Sequence, residues 1–193
     1  MNLVERAIAM ADRVFKRVKG IIVQPRAEWQ IIDGEASAPV DLYRGYIAIL
    51  AAVPAICDFI GECISGPSVL NALKSGVVRY VLALLIIYAI AWIIDMLAPT
   101  FGGRKDFPSA LKLAVYSYTP WWVAGIFLLL PGLRFLNLLG LYGVYVFWLG
   151  LPVLMQCKPE KTLDYLSSVV GGAIVVMLVL GFVLATVGLP ILL

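Results

Sequence analysis

Three carboxylates in this sequence stand inside, or at the end of, long apolar stretches. They are Asp58, Glu62 and Asp95. A charge at the centre of a bilayer costs about 3 kcal/mol on insertion scales, so such groups are either paired or functional. Asp58 and Glu62 lie one helical turn apart, within reach of Arg79. We also expect Asp95 to approach three bases that follow it: Arg104, Lys105 and Lys112.

Two interpretations of these acids stay open. In the first, they form charge pairs at the two boundaries of the membrane. In the second, Asp58 and Asp95 belong to a path for cations or protons, because they stand at opposite ends, as a relay requires.

A run of hydroxyl side chains precedes a proline in another apolar stretch. The run is Tyr116, Ser117, Tyr118 and Thr119, followed by Pro120. A proline inside a helix removes one backbone hydrogen bond, and in lipid the freed carbonyl needs a partner from protein or water. The run predicts a polar cavity, or a kinked helix whose hydroxyls pair with nearby carbonyls. A vestibule open to one side would favour transport, whereas a dry and fully paired interior would not.

The residue types argue against most enzyme chemistry. The chain has no histidine, which removes the commonest general base and the commonest metal ligand. Cys57, Cys63 and Cys157 have no metal-ligand spacing. We therefore expect no catalytic residues, no metal and no cofactor.

The elements that must position these residues are membrane-spanning helices. Of 193 residues, 62% are hydrophobic and 14% are charged, which is far from the soluble globular range. An all-α, polytopic membrane bundle of five transmembrane helices is predicted, with residues 1–36 as an N-terminal appendage and 37–193 as the membrane domain. The five apolar stretches cover residues 43–65, 77–98, 111–130, 135–156 and 166–190.

The N-terminal appendage has the pattern of an amphipathic helix. Apolar residues recur at helical spacing on one side, and bases occupy the other. Such a helix suits an anionic leaflet, at about 1 kcal/mol per base near the surface, or packs on the bundle or on a partner. A short juxtamembrane helix starting at Pro25 follows. The predicted membrane or partner surface consists of Arg13, Lys16, Arg17, Lys19, Arg104 and Lys105.

The distribution of bases predicts the orientation. With five spans, 12 of the 15 lysines and arginines fall on the side of the N-terminus. The other three are Lys74, Arg79 and Arg134. Because cytoplasmic segments carry the excess of bases, the N-terminus is predicted inside and the C-terminus outside.

Several segments in order resemble the bacterial branch of the Yip family, which is named after eukaryotic proteins that interact with Ypt/Rab GTPases. They are Gln24-Pro25-Arg26-Ala27-Glu28-Trp29, Ala51-Ala52-Val53-Pro54-Ala55-Ile56-Cys57, Phe59-Ile60-Gly61, Phe101-Gly102-Gly103, Tyr118-Thr119-Pro120, and the run from Tyr142 to Pro152. The resemblance implies a five-span protein of the bacterial inner (cytoplasmic) membrane with its N-terminus in the cytoplasm.

Two functions remain in view. The first is a non-enzymatic scaffold or membrane-organising protein whose cytoplasmic face engages the anionic leaflet, a protein partner or a second copy of the chain. The second is a small channel or transporter for ions or protons, with its polar path near Tyr116–Pro120. The net charge of +3 implies no nucleic-acid partner, because topology explains the bases.

Overall fold

The apolar stretches and the basic N-terminal segment are all helical in the computed structural model, which describes residues 3–35, 42–66 and 68–186. No strand occurs in these ranges. Seven α-helices follow in order: α1 (Leu3–Val23), α2 (Pro25–Gly34), α3 (Ala48–Ser65), α4 (Val69–Leu97), α5 (Phe107–Ala124), α6 (Tyr142–Leu154) and α7 (Thr162–Thr186). A π-helical turn, Tyr43–Ile47, leads into α3.

Four helical stretches in the described part of the chain are long and apolar enough to cross a membrane. They are Gly45–Ile64, Val69–Phe101, Pro131–Leu154 and Pro159–Thr186. An all-α membrane bundle is therefore confirmed. The predicted crossing at 111–130 is not among the four, so the count of five spans stays a prediction.

Two predicted spans contain 3-10 helix where α-helix was expected. After α5, the chain continues as 3-10 helices Gly125–Leu129 and Pro131–Leu141, and α6 begins only at Tyr142. Leu130, between the two, has an extended backbone. This region contains a proline and three glycines, which are poor α-helix formers. The predicted turn at Pro131-Gly132 lies at this break.

Helix α5 occupies the centre of the bundle. Twelve of its 18 residues are buried, and it packs against α4 and α6 along its length and against α3 and α1. A helix enclosed by other helices does not need an apolar surface, because its polar groups find protein partners. Lys112, Tyr116 and Thr119 are therefore tolerated on it.

The N-terminal appendage is docked on the bundle. Val14 and Ile21 of α1 are buried, as are Trp29 and Ile32 of α2. Helix α2 packs on α6, and α1 packs on α2 and α5. The predicted amphipathic and juxtamembrane helices are thus present, and Pro25 opens α2. The proposed boundary between residues 36 and 37 lies outside the described residues.

Candidate functional site

A cavity of about 770 Å³ lies between the α1–α2 pair and the bundle. Arg13 and Lys16 are exposed at its rim, whereas Tyr46 and Tyr116 form its buried side. The cavity is thus open on the side of α1. Its other lining residues are Met10, Val14, Arg17, Glu28, Ile31, Glu35, Leu42 and Gly45.

Arg17 connects the helices around this cavity. Its guanidinium donates to Glu28 at 2.6 Å and to Glu35, and it lies 5.5 Å from the centre of the Tyr116 ring. Burial alone would lower the pKa of Arg17, but the hydrogen bond to Glu35 and the charges of both carboxylates raise the pKa above its ordinary value. Arg17 therefore stays charged and holds α1 to α2. The Arg17 side chain is only 17% exposed, and its part in the predicted membrane or partner surface stays a prediction.

Helix α2 is fixed to the bundle by two long side chains. The Trp29 Nε1 donates to the Val146 carbonyl at 3.0 Å, and Gly150 leaves room for the indole, since a Cβ there would lie 2.6 Å from the ring. From α5, the buried Lys112 ammonium donates to the Ile32 carbonyl at 3.1 Å and to the Glu35 carbonyl. A cation thus caps the C-terminal end of α2.

The four hydroxyl side chains before Pro120 do not all line the same cavity. Tyr116 borders the cavity, with its ring 4.9 Å from that of Tyr46 in an edge-to-face arrangement. Thr119 is 0% exposed, is not among the lining residues of the cavity, and shares a 2.9 Å hydrogen bond with the Tyr46 hydroxyl. Ser117 and Tyr118 line a separate, apolar groove against α6 and α7. A continuous polar path through all four remains a prediction.

A charge cluster joins α3, α4 and the second 3-10 helix at the other end of the bundle. Asp58, 6% exposed, pairs with Arg79 and lies 3.4 Å from Arg134, while Glu62 lies 3.1 Å from Arg79. The expected proximity of Asp58 and Glu62 to Arg79 is confirmed. Arg134 was missed, because its position depends on how the 3-10 helices fold back.

Asp95 is buried without the basic partners expected for it. Arg104 pairs with Asp106 at 3.1 Å, and Lys112 is engaged with α2. In the ranges that the structure describes, no ion pair includes Asp95, and its buried Oδ1 has no hydrogen-bond partner. The predicted pairing of Asp95 with these two bases was wrong.

The remaining bases of the predicted surface are exposed. On α1, Arg13 donates to its own helix, Lys16 pairs with Asp12 at 2.8 Å, and Lys19 faces outward. Arg104 and Lys105 are exposed in the connection before α5.

Helix α1 also exposes an apolar stripe that is separate from its docked face. Phe15 is 68% exposed and Ile8 is 64% exposed. The C-terminal end of this helix meets α6 where the Tyr142 hydroxyl donates to the Ile22 carbonyl at 3.1 Å. Beyond Tyr142, α6 exposes Tyr145 and Trp148. Tyr and Trp side chains are enriched at the interface between hydrocarbon and water.

Comparison with known proteins places this architecture in a family. The model of the Yip1 domain matches residues 19–191. The chain belongs to the Yip1 domain family. It is similar to the inner membrane protein YohC of Escherichia coli K12, with 26% identity over 177 residues covering 84% of this chain and 91% of the relative. YohC of Escherichia coli O6:H1 matches equally well. No solved structure gives a significant match.

The Arg17 contacts generate a prediction. Replacing Arg17 with Met leaves Glu28 and Glu35 facing each other without a cation. We expect a loss of about 2 kcal/mol in the docking of α1 on the bundle, less than for a fully buried pair because Glu35 is partly exposed. Hydrogen exchange of the α1 amides should accelerate, while that of α5 stays slow.

Arg13→Met is the matched control, because Arg13 lies one helical turn away and bonds only to a carbonyl of its own helix. Equal exchange in the two variants would contradict a docking role for Arg17.

Proposed function

We propose that this Yip-family protein is a non-enzymatic membrane-organising scaffold whose α1 lies in the headgroup layer of the cytoplasmic leaflet. The main support is the stripe of Phe15 and Ile8, which stands beside exposed bases and belongs to a helix fixed at the level of the α6 aromatics. Buried apolar area and attraction to anionic lipids both favour this placement. A protein partner or a second copy of the chain would then bind at the cytoplasmic face of the bundle.

The positions of the bases support a cytoplasmic N-terminus. Lys112 ties α2 to the first half of α5, and the Arg104 amide bonds to the Met155 carbonyl at 2.8 Å, so α1, α2 and two basic connections share one end of the bundle. At the other end, Arg79 and Arg134 are neutralised by Asp58 and Glu62. Lys74 is exposed at that other end, but the end with α1 and α2 has more exposed bases and fits the cytoplasmic side.

The same contacts support five crossings. Lys112 stands at the end with α2, and Arg134 stands at the end with Asp58. The chain between them therefore passes from one end to the other, although only part of it is α-helix. An odd number of crossings places the C-terminus outside.

Labelling in cells tests the orientation. In a background without Cys57, Cys63 and Cys157, single cysteines at Lys16 and Lys74 are treated with a membrane-impermeant maleimide. We expect the cysteine at Lys74 to react in intact spheroplasts and the cysteine at Lys16 only after lysis. The reverse pattern would refute the proposed orientation.

An environment-sensitive dye tests the placement of α1. The dye is attached to a cysteine at Phe15, or at Asp12 on the polar side of the helix as the matched control. In nanodiscs with anionic lipid, the Phe15 position should show blue-shifted emission and the Asp12 position should not. Identical spectra at both positions, in anionic and zwitterionic discs alike, would contradict the placement of α1 in the headgroup layer.

A small channel or transporter is the second candidate function, and the cavity bordered by Tyr46 and Tyr116 is the observation that favours it. Against it stands Thr119, which is fully buried and hydrogen-bonded to Tyr46 and does not line the cavity. The scaffold proposal therefore predicts no protein-dependent flux of protons, monovalent cations or divalent cations in proteoliposomes. Flux that Thr119→Val, Asp58→Asn and Asp95→Asn diminish would establish transport instead.

A further inference from the structure

An apolar groove runs between α5, α6 and α7, on a different side of α5 from the cavity under α1. Its volume is about 270 Å³. The lining residues Leu166 and Met177 of α7 lie about 16 Å apart along the helix, at 1.5 Å per residue. Leu141, Val144 and Ile174 line the groove and are exposed, so it is open to the surrounding lipid. An apolar groove of this length that opens to lipid can hold part of a hydrocarbon chain.

One buried hydroxyl distinguishes this groove from a plain apolar surface. Ser117 lines it, is 7% exposed, and its Oγ has no hydrogen-bond partner in the ranges that the structure describes. A serine inside a helix commonly satisfies its hydroxyl by donating to the carbonyl four residues earlier. A buried hydroxyl without a partner destabilises the fold, because it has lost its hydrogen bonds to water. A ligand carrying an acceptor would relieve this destabilisation.

The depth of Ser117 indicates which acceptor is available. A Cβ on Gly143 would lie 2.4 Å from the Ser117 carbonyl, so the two residues face each other, and Gly143 directly follows Tyr142. The exposed Tyr145 and Trp148 follow on the same helix. Ser117 therefore stands close to the level of the aromatic belt, where the ester carbonyls of phospholipids lie beside the headgroups.

We propose that the groove binds one acyl chain of a glycerophospholipid and that the Ser117 hydroxyl donates to the ester carbonyl of that chain. The chain runs from Ser117 past Trp121 and Ala173 toward Met177, deeper into the bilayer. A chain without a carbonyl would fill the groove and leave Ser117 unpaired. The site therefore selects ester-linked over ether-linked lipid, and it rests on contacts independent of α1.

The experiment uses a matched pair of lipids. The purified full-length protein in nanodiscs is titrated with a phospholipid whose chains carry bromine and are ester-linked, or with its ether-linked counterpart. Bromine quenches tryptophan fluorescence on contact, and Trp121→Phe identifies the part that arises in the groove. We expect saturable quenching of Trp121, with the ester lipid bound about 3- to 10-fold more tightly, as one hydrogen bond provides.

Ser117→Ala should remove the preference for the ester lipid and leave binding of the ether lipid unchanged. Ser167→Ala is the matched control, because that serine is exposed on α7 and bonds to its own helix. Should Ser117→Ala fail to fold, Ala173→Phe fills the groove from α7 and should abolish saturable quenching by both lipids. Equal affinity for the two lipids in the wild type, or quenching that never saturates, would overturn the proposal and leave only a hydrocarbon-filled surface.

Discussion

The architecture depends on one constraint, which is that polar groups placed in an apolar environment must find partners inside the protein. Among the described residues, helix α5 carries three of the seven buried polar or charged side chains, more than any other helix, and the other elements are arranged around it. Its Lys112 donates to the carbonyls at the end of α2, and its Thr119 shares a hydrogen bond with Tyr46 at the start of the first span. Each unmade hydrogen bond would cost about 1–3 kcal/mol, so the positions of these neighbours are strongly favoured. The helix with the most buried polar side chains is for this reason the most enclosed one.

Much of the fold follows from local features of the sequence. Hydropathy over about 20 residues locates the spans, because the bilayer sets their length. Helical spacing identifies α1 as amphipathic, and a separation of one turn brings Asp58 and Glu62 to the same arginine. Pro25 marks the start of α2 for a stereochemical reason, since the first helical position needs no amide hydrogen. In each case the relevant distance lies within one helix or between adjacent ones.

The rest depends on packing between segments distant in sequence. Arg13 and Arg17 belong to the same polar side of α1. They differ because Arg17 pairs with Glu28 of α2 and with Glu35, which follows α2. From the sequence, Lys112 was counted among the bases that set the membrane orientation. In the structure its partners are carbonyls about 80 residues away in the chain. Asp95 was expected to be paired because bases follow it, but Arg104 pairs with Asp106 and Lys112 binds the carbonyls at the end of α2. Gly150 was a usable signal, because a glycine in a central helix often marks the close approach of a large side chain, here Trp29.

The second 3-10 helix gives one span an unusual relation to bilayer thickness. At about 2.0 Å per residue, the 11 residues of Pro131–Leu141 extend roughly 22 Å, whereas the same residues in an α-helix would extend about 16 Å. This span therefore reaches further per residue than its α-helical neighbours, and a change of helix type would shorten it by about one α-helical turn. Most spans that are longer than the hydrocarbon core accommodate the mismatch by tilting. This one has a second way to match a thinner bilayer, through its own hydrogen-bonding pattern, and such a change would shift its contacts with Trp121 of α5.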